Sequence, residues 1–142
     1  MYKSILLPID LGHPSSWETA IPVAVELAET FRAKLHLVSV VPALAMPALS
    51  SYLPADFEAN ALTRAGDELK AFADEHVPDG IQGQCHLAHG VVRQEIVKAA
   101  DTLDCDLIIM APHRSEMADF FISPVTEFVV SHSTRSVMVV RK

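Results

Sequence analysis

Five short apolar runs alternate with four stretches of helical periodicity, and this alternation restricts the fold more than any other feature of the chain. The runs are Ser4 to Asp10, Lys34 to Val41, Gln82 to Ala88, Asp106 to Met110 and Ser136 to Val140. Each has the length of a strand, and none is long enough to bury a helical stripe. Most are dense in Val, Ile and Leu, as expected of strands covered on both faces. Gln82 to Ala88 alternates with polar residues instead, which places it at an edge.

Between the runs, apolar residues recur every three or four positions. The first helix carries Trp17, Ala20, Ile21, Ala24, Leu27, Ala28 and Phe31 on one stripe. Pro22 is harmless there if Thr19 is the N-cap, and kinks the helix if Ser15 or Ser16 is. A second helix spans Asp56 to His76, with Gly66 inside it weakening it by up to about 1 kcal/mol relative to Ala. His89-Gly90 reads as a turn into a third helix, about Val91 to Leu103, with Val92, Ile96, Ala99 and Leu103 inward. A short fourth helix lies near Val125 to Ser131. Pro42 to Pro54, with three prolines, reads as an irregular loop or flap. Strands alternating with helices imply a parallel sheet with right-handed crossovers, in one domain over residues 1–142.

Eleven basic and eighteen acidic residues leave a net charge of −7, and no basic run offsets it. Nucleic acid is therefore not an expected partner, and an anionic ligand needs local donors. Cys85 and Cys105 read as buried, reduced thiols, and the seven histidines show no metal-ligand spacing. No apolar run approaches the roughly 20 residues of a membrane span. Met1-Tyr-Lys-Ser with four apolar residues before Asp10 is not a secretory leader, so the expectation is a cytoplasmic protein.

The last quarter carries the chemistry. Strand, polar loop (Ala111-Pro-His-Arg-Ser-Glu116), helix start (Ser123-Pro124) and strand is how open α/β sheets build anion sites. Such loops usually use glycine, yet the glycines are at 12, 66, 80, 83 and 90, with none beyond. His113 and Arg114 stand there instead, and arginine's planar fork suits phosphate oxygens. Ser123 is a good N-cap and Pro124 a good first helical residue. Pro124 donates no N–H, which leaves the Val125 and Thr126 amides and the Thr126 hydroxyl as the expected donors. Asp10, ending the first strand, is either a ligand contact or a turn residue. No nucleophile–base pair, P-loop lysine or paired catalytic carboxylates stand out, so catalysis is not expected.

Four pieces together resemble the universal stress protein family over essentially the whole chain. They are Leu7-Pro8-Ile9-Asp10, Val38-Ser-Val-Val41, His89-Gly90, and the tail from Cys105-Asp-Leu-Ile-Ile-Met110 through Ser136-Val-Met-Val-Val140. The resemblance implies an open, Rossmann-like five-stranded parallel sheet of order 3-2-1-4-5 with helices on both faces. It also implies an adenine-nucleotide cleft at the carboxyl ends of the strands. Pro8, Ile9 and Asp10 would supply one wall, and the Val40 backbone would meet adenine. Met110 and Ala111, His113 and Arg114, and Ser123, Pro124, Val125 and Thr126 would supply the rest. In ATP-binding relatives the tail reads Gly, two residues, Gly, nine residues, Gly, then Ser or Thr. Here those glycines correspond to Ala111, Arg114 and, with one residue deleted, Ser123, so the motif is degenerate.

The implied function is a stress-response or regulatory module holding ATP or another adenine nucleotide, with magnesium as a candidate companion and little turnover. The alternative is a nucleotide-independent interaction protein of the same fold, with a protein partner still to be identified. A homodimer through strand five (Val137, Val139 and Val140) is also expected, because exposed apolar edges are usually paired or covered.

Overall fold

The computed structural model describes residues 1–42, 56–112 and 123–141. All five apolar runs become strands: β1 (Ser4–Pro8), β2 (Lys34–Pro42), β3 (Gln82–Gly90), β4 (Leu107–Met110) and β5 (Ser136–Val139). The helices between them are α1 (Ala20–Phe31), α2 (Phe57–His76), α3 (Val92–Thr102) and α4 (Pro124–His132). The strands pair in parallel in the order β3-β2-β1-β4-β5. Leu7 lies opposite Leu37, Ile5 opposite Leu107, and Ile108 opposite Val137.

Side chains alternate across a strand, so each central strand supplies two cores. Ile5, Leu7, Leu35, Leu37, Leu107 and Ile109 face α1 and α2, and pack with Ala24, Ala28, Leu69 and Phe72. Leu6, Val38, Ile108 and Met110 face the other way, onto Ile96, Ala99 and Ala100 of α3 and Val129 of α4. Small alanines on α1 and α3 let those helices lie close to the sheet. Among the described residues, no helix is long and apolar enough to cross a membrane.

Several local readings change. Thr19 does occupy the N-cap position of α1, so Pro22 falls in the first turn, but its backbone is helical and its side chain makes no cap bond. A 3-10 turn at Pro14–Ser16 precedes it. His89 and Gly90 are not a turn: they extend β3 and pair with Val41 and Pro42. The bend comes immediately after, and Gly90 takes φ 152°, where a Cβ would approach Glu95 Oε1 to 2.9 Å. Cys85 is exposed rather than buried, because β3 is an edge strand with one neighbour; Cys105 is buried, and both thiols are free. Burial pushes the Cys105 thiol above its ordinary pKa, and partial desolvation with the nearby Asp74 carboxylate does the same for Cys85.

Candidate functional site

The helices leave β1 toward one face and β4 toward the other, so the carboxyl ends of β1 and β4 form the switch point where open α/β sheets bind ligands. A cavity of about 340 Å³ opens there. One wall is Pro8, Ile9, Asp10 and Ser16, and a second is Val38, Val40 and Pro42 of β2. Val92 and Ile96 of α3, Met110 and Ala111 after β4, and Ser123, Val125 and Thr126 at the start of α4 complete it. The volume is near the lower end of ligand pockets, roughly 300–1,000 Å³.

Local chemistry explains how the β1 wall forms. Pro8 has no N–H and closes the strand, while Ile9 N–H still reaches the Val38 carbonyl at 2.8 Å. Asp10 then turns the chain. Its Oδ1 accepts from Gly12 N–H at 3.1 Å, and its Oδ2 lies 2.9 Å from His13 Nδ1. Ser16 Oγ locks the same turn, accepting from Asp10 N–H at 3.0 Å and lying 3.1 Å from the Asp10 carbonyl, to which it donates. Asp10 is thus a turn residue and a cavity residue at once. Its carboxylate is about half exposed, at 54%.

The start of α4 departs from the sequence expectation. Ser123 is the N-cap, and its Oγ accepts from Thr126 N–H at 3.3 Å. The same Oγ donates to Thr126 Oγ1 at 3.0 Å, and Thr126 is fully buried. Glu127 N–H goes to the Ser123 carbonyl at 2.9 Å. Of the donors read for an anion, the Thr126 amide is therefore engaged by the cap, while the Thr126 hydroxyl accepts from Ser123 and keeps its own proton to donate. The reason is proximity: a serine at the N-cap reaches the third amide of its own helix before any ligand does. Val125 is left as the first-turn amide without a bond to Ser123.

Of the residues expected in the cleft, the structure brings together Pro8, Ile9, Asp10, Val40, Met110, Ala111, Ser123, Val125 and Thr126. Pro124 begins α4 but is not part of the wall. His113 and Arg114 lie outside the described residues. Ser16, Val38, Pro42, Val92 and Ile96 were missed. Val92 and Ile96 had been assigned inward on the third helix, but periodicity does not say which end of the sheet they cover. Among the described residues, no group of three or more His, Cys, Asp or Glu side chains is placed to hold a metal.

The chain matches the family model of the universal stress protein family over residues 1–141. Universal stress protein G of Shigella flexneri is 26% identical over 144 residues, covering 99% of this chain and 100% of its own. Universal stress protein UspA from Lactobacillus plantarum superposes with a TM-score of 0.75 at 24% identity, over 99% of this chain and 98% of that one. Two further structures of the same fold are complexes. One is a universal stress protein with cAMP (TM-score 0.61, 24% identity, 99% and 97% covered). The other is the Archaeoglobus fulgidus protein with dAMP (TM-score 0.60, 18% identity, 98% of each chain covered). With the family model matched along all but the last residue, this chain belongs to the universal stress protein family.

Proposed function

We propose that this protein is a small cytoplasmic stress-response or regulatory module that binds an adenine nucleotide at the switch-point cavity, with little turnover. The observation that carries the reading is the cavity itself. Three separate strand ends and two helix starts converge on it, and its walls are apolar except for Asp10 and three hydroxyl side chains. Flat apolar surface suits a purine ring, and a strand-end carboxylate suits ribose hydroxyls. That two relatives of this fold are complexes with cAMP and dAMP supports the same reading. Arg114 is the proposed phosphate contact, by its chemistry. Magnesium would have Asp10 as the single carboxylate in the described wall, with each oxygen already bonded, so no step is assigned to it. No catalytic residue is assigned.

Thermal unfolding tests the reading. A ligand at a hundred times its Kd stabilises the native state by about 2.7 kcal/mol. For a domain of this size that raises Tm by several degrees. Adenosine, AMP, cAMP and ATP at millimolar concentration should include at least one that produces this rise. A flat Tm with all four would favour the interaction-protein alternative, toward which the engaged α4 cap also points.

A further inference from the structure

Asp10 is held at the cavity wall by both its main chain and its side chain. Ser16 Oγ bridges the Asp10 amide and carbonyl, and the His13 N–H also reaches that carbonyl, at 3.0 Å. On the side chain, Gly12 N–H meets Oδ1 and closes an Asx-turn, which fixes one oxygen and leaves the other to swing about it. His13 Nδ1, 2.9 Å from Oδ2, fixes the second. A carboxylate oxygen accepts, so Nδ1 donates.

The His13 ring is not what caps this turn. His13 stands at the N-cap of the 3-10 turn Pro14–Ser16, yet its side chain makes no cap bond. Both side chains are more than half exposed, and a pair of that exposure adds little to stability. What the pair sets is the direction of a carboxylate that lines the cavity. With one protein donor on each oxygen, each keeps lone-pair capacity for a further hydroxyl. Two oxygens of one planar group match the two adjacent hydroxyls of a ribose.

We propose that His13 is a positioning residue for the sugar: by fixing Asp10 Oδ2 it orients the carboxylate to take the 2′- and 3′-hydroxyls, so that this chain prefers ribonucleotides to their 2′-deoxy counterparts. The proposal rests on the nucleotide-binding reading above and specifies its sugar. Asp10 makes the contact, and His13 acts through it. A side chain already ordered in the free protein does not have to be ordered on binding, so the ring acts on affinity for the hydroxyls and not on folding.

Isothermal calorimetry with AMP against 2′-deoxy-AMP, and ATP against 2′-deoxy-ATP, tests it. The members of each pair differ in one hydroxyl, so the ratio of their affinities cancels the purine and phosphate contacts. The wild-type chain should favour the ribonucleotide by about tenfold, as expected of one hydrogen bond to a charged group. His13→Ala should lower that ratio about threefold, the effect of leaving one side chain to be ordered on binding, with Tm unchanged. His13→Asn carries an amide nitrogen the same number of bonds from the backbone as Nδ1, and should restore the ratio. Equal wild-type affinities within a pair would overturn the ribose preference and leave the nucleotide reading standing. An unchanged ratio in His13→Ala, or one that His13→Asn does not restore, would overturn the role of His13. A lower Tm with equal losses for both members of a pair would overturn it too, assigning the ring to the turn instead. Binding of none of the four would remove the nucleotide reading itself, and the proposal with it.

Discussion

His36 shows how one side chain compensates for an irregular strand. Between the pairs Leu35–Gln82 and Leu37–Cys85, β3 has one residue more than β2, so the ladder slips and an amide is left over. His36 Nδ1 accepts that amide, Gln84 N–H, at 2.8 Å. Only an unprotonated Nδ1 can accept. Burial holds the His36 pKa below its ordinary value, and Lys34 adds to the shift. The unfolded chain therefore takes up this proton first, near pH 6.5. Stability should fall as pH drops from about 6.5 toward the folded pKa, then level off on this account. His36→Gln keeps an acceptor and cannot gain a proton, so its urea-unfolding stability should fall less over that window. Equal acid losses in the two chains would contradict the account. The same ring makes Gly83 necessary: a Cβ there would sit 2.6 Å from His36 Nδ1, whereas one at Gly80 meets nothing within 4 Å. Gly83→Ala should cost about 1–3 kcal/mol by overpacking, measured against Gly80→Ala as the control.

At the scale of elements, Trp17 joins the β1–α1 connection to α2. It packs edge-on against Phe72 with centroids 4.9 Å apart, and lies 5.2 Å from His76. The sequence placed Trp17 on the stripe of the first helix, but it precedes the Thr19 N-cap and lies in the turn before α1, so its apolar role was readable and its element and environment were not. The indole Nε1 is buried without a hydrogen-bond partner, among the described residues. An orphaned donor costs about 1–3 kcal/mol, and a ring without one avoids that cost. Trp17→Phe should therefore stay within about 1 kcal/mol of wild type, the lost area being offset by the removed donor. Trp17→Ala should lose about 3 kcal/mol. Chemical denaturation of both measures this, and similar large losses would show that the indole N–H has a partner in solution.

For the whole molecule, the open question is the β5 edge. β4 covers one side of β5, and the sheet ends on the other. Val137 packs on the α3–α4 side and Val140 on the α1–α2 side, so both are committed to the protein's own cores. Val139, part-buried opposite Met110, is the residue through which we propose that two copies associate. Sedimentation at micromolar concentration should give a dimer, and Val139→Lys should give a monomer with its Tm largely retained. A wild-type monomer would refute the proposal.

The element order, the parallel sheet and the two-sided core were determined by the sequence alone. Strand length, helical period and the Val-Ile-Leu density of the central strands are local properties, and a residue such as Leu6 or Ile108 has little choice but burial. The β1 wall was readable in part: the apolar run ending at Pro8 and Asp10 marks where β1 stops, and the family resemblance implied that this end lines the cleft. Only the tertiary structure decided which donors remain available. Thr126 looked free beside Pro124 until Ser123 reached it, and Gln84 N–H has a partner because β3 slips against β2. It also decided that Val92 and Ile96 reach the carboxyl end of the sheet and complete the cavity. Hydrophobic burial depends on residue type and period, which one chain displays in order. A hydrogen bond depends on which of several nearby groups arrives within 3 Å at a workable angle, and that distance exists only once the elements are packed.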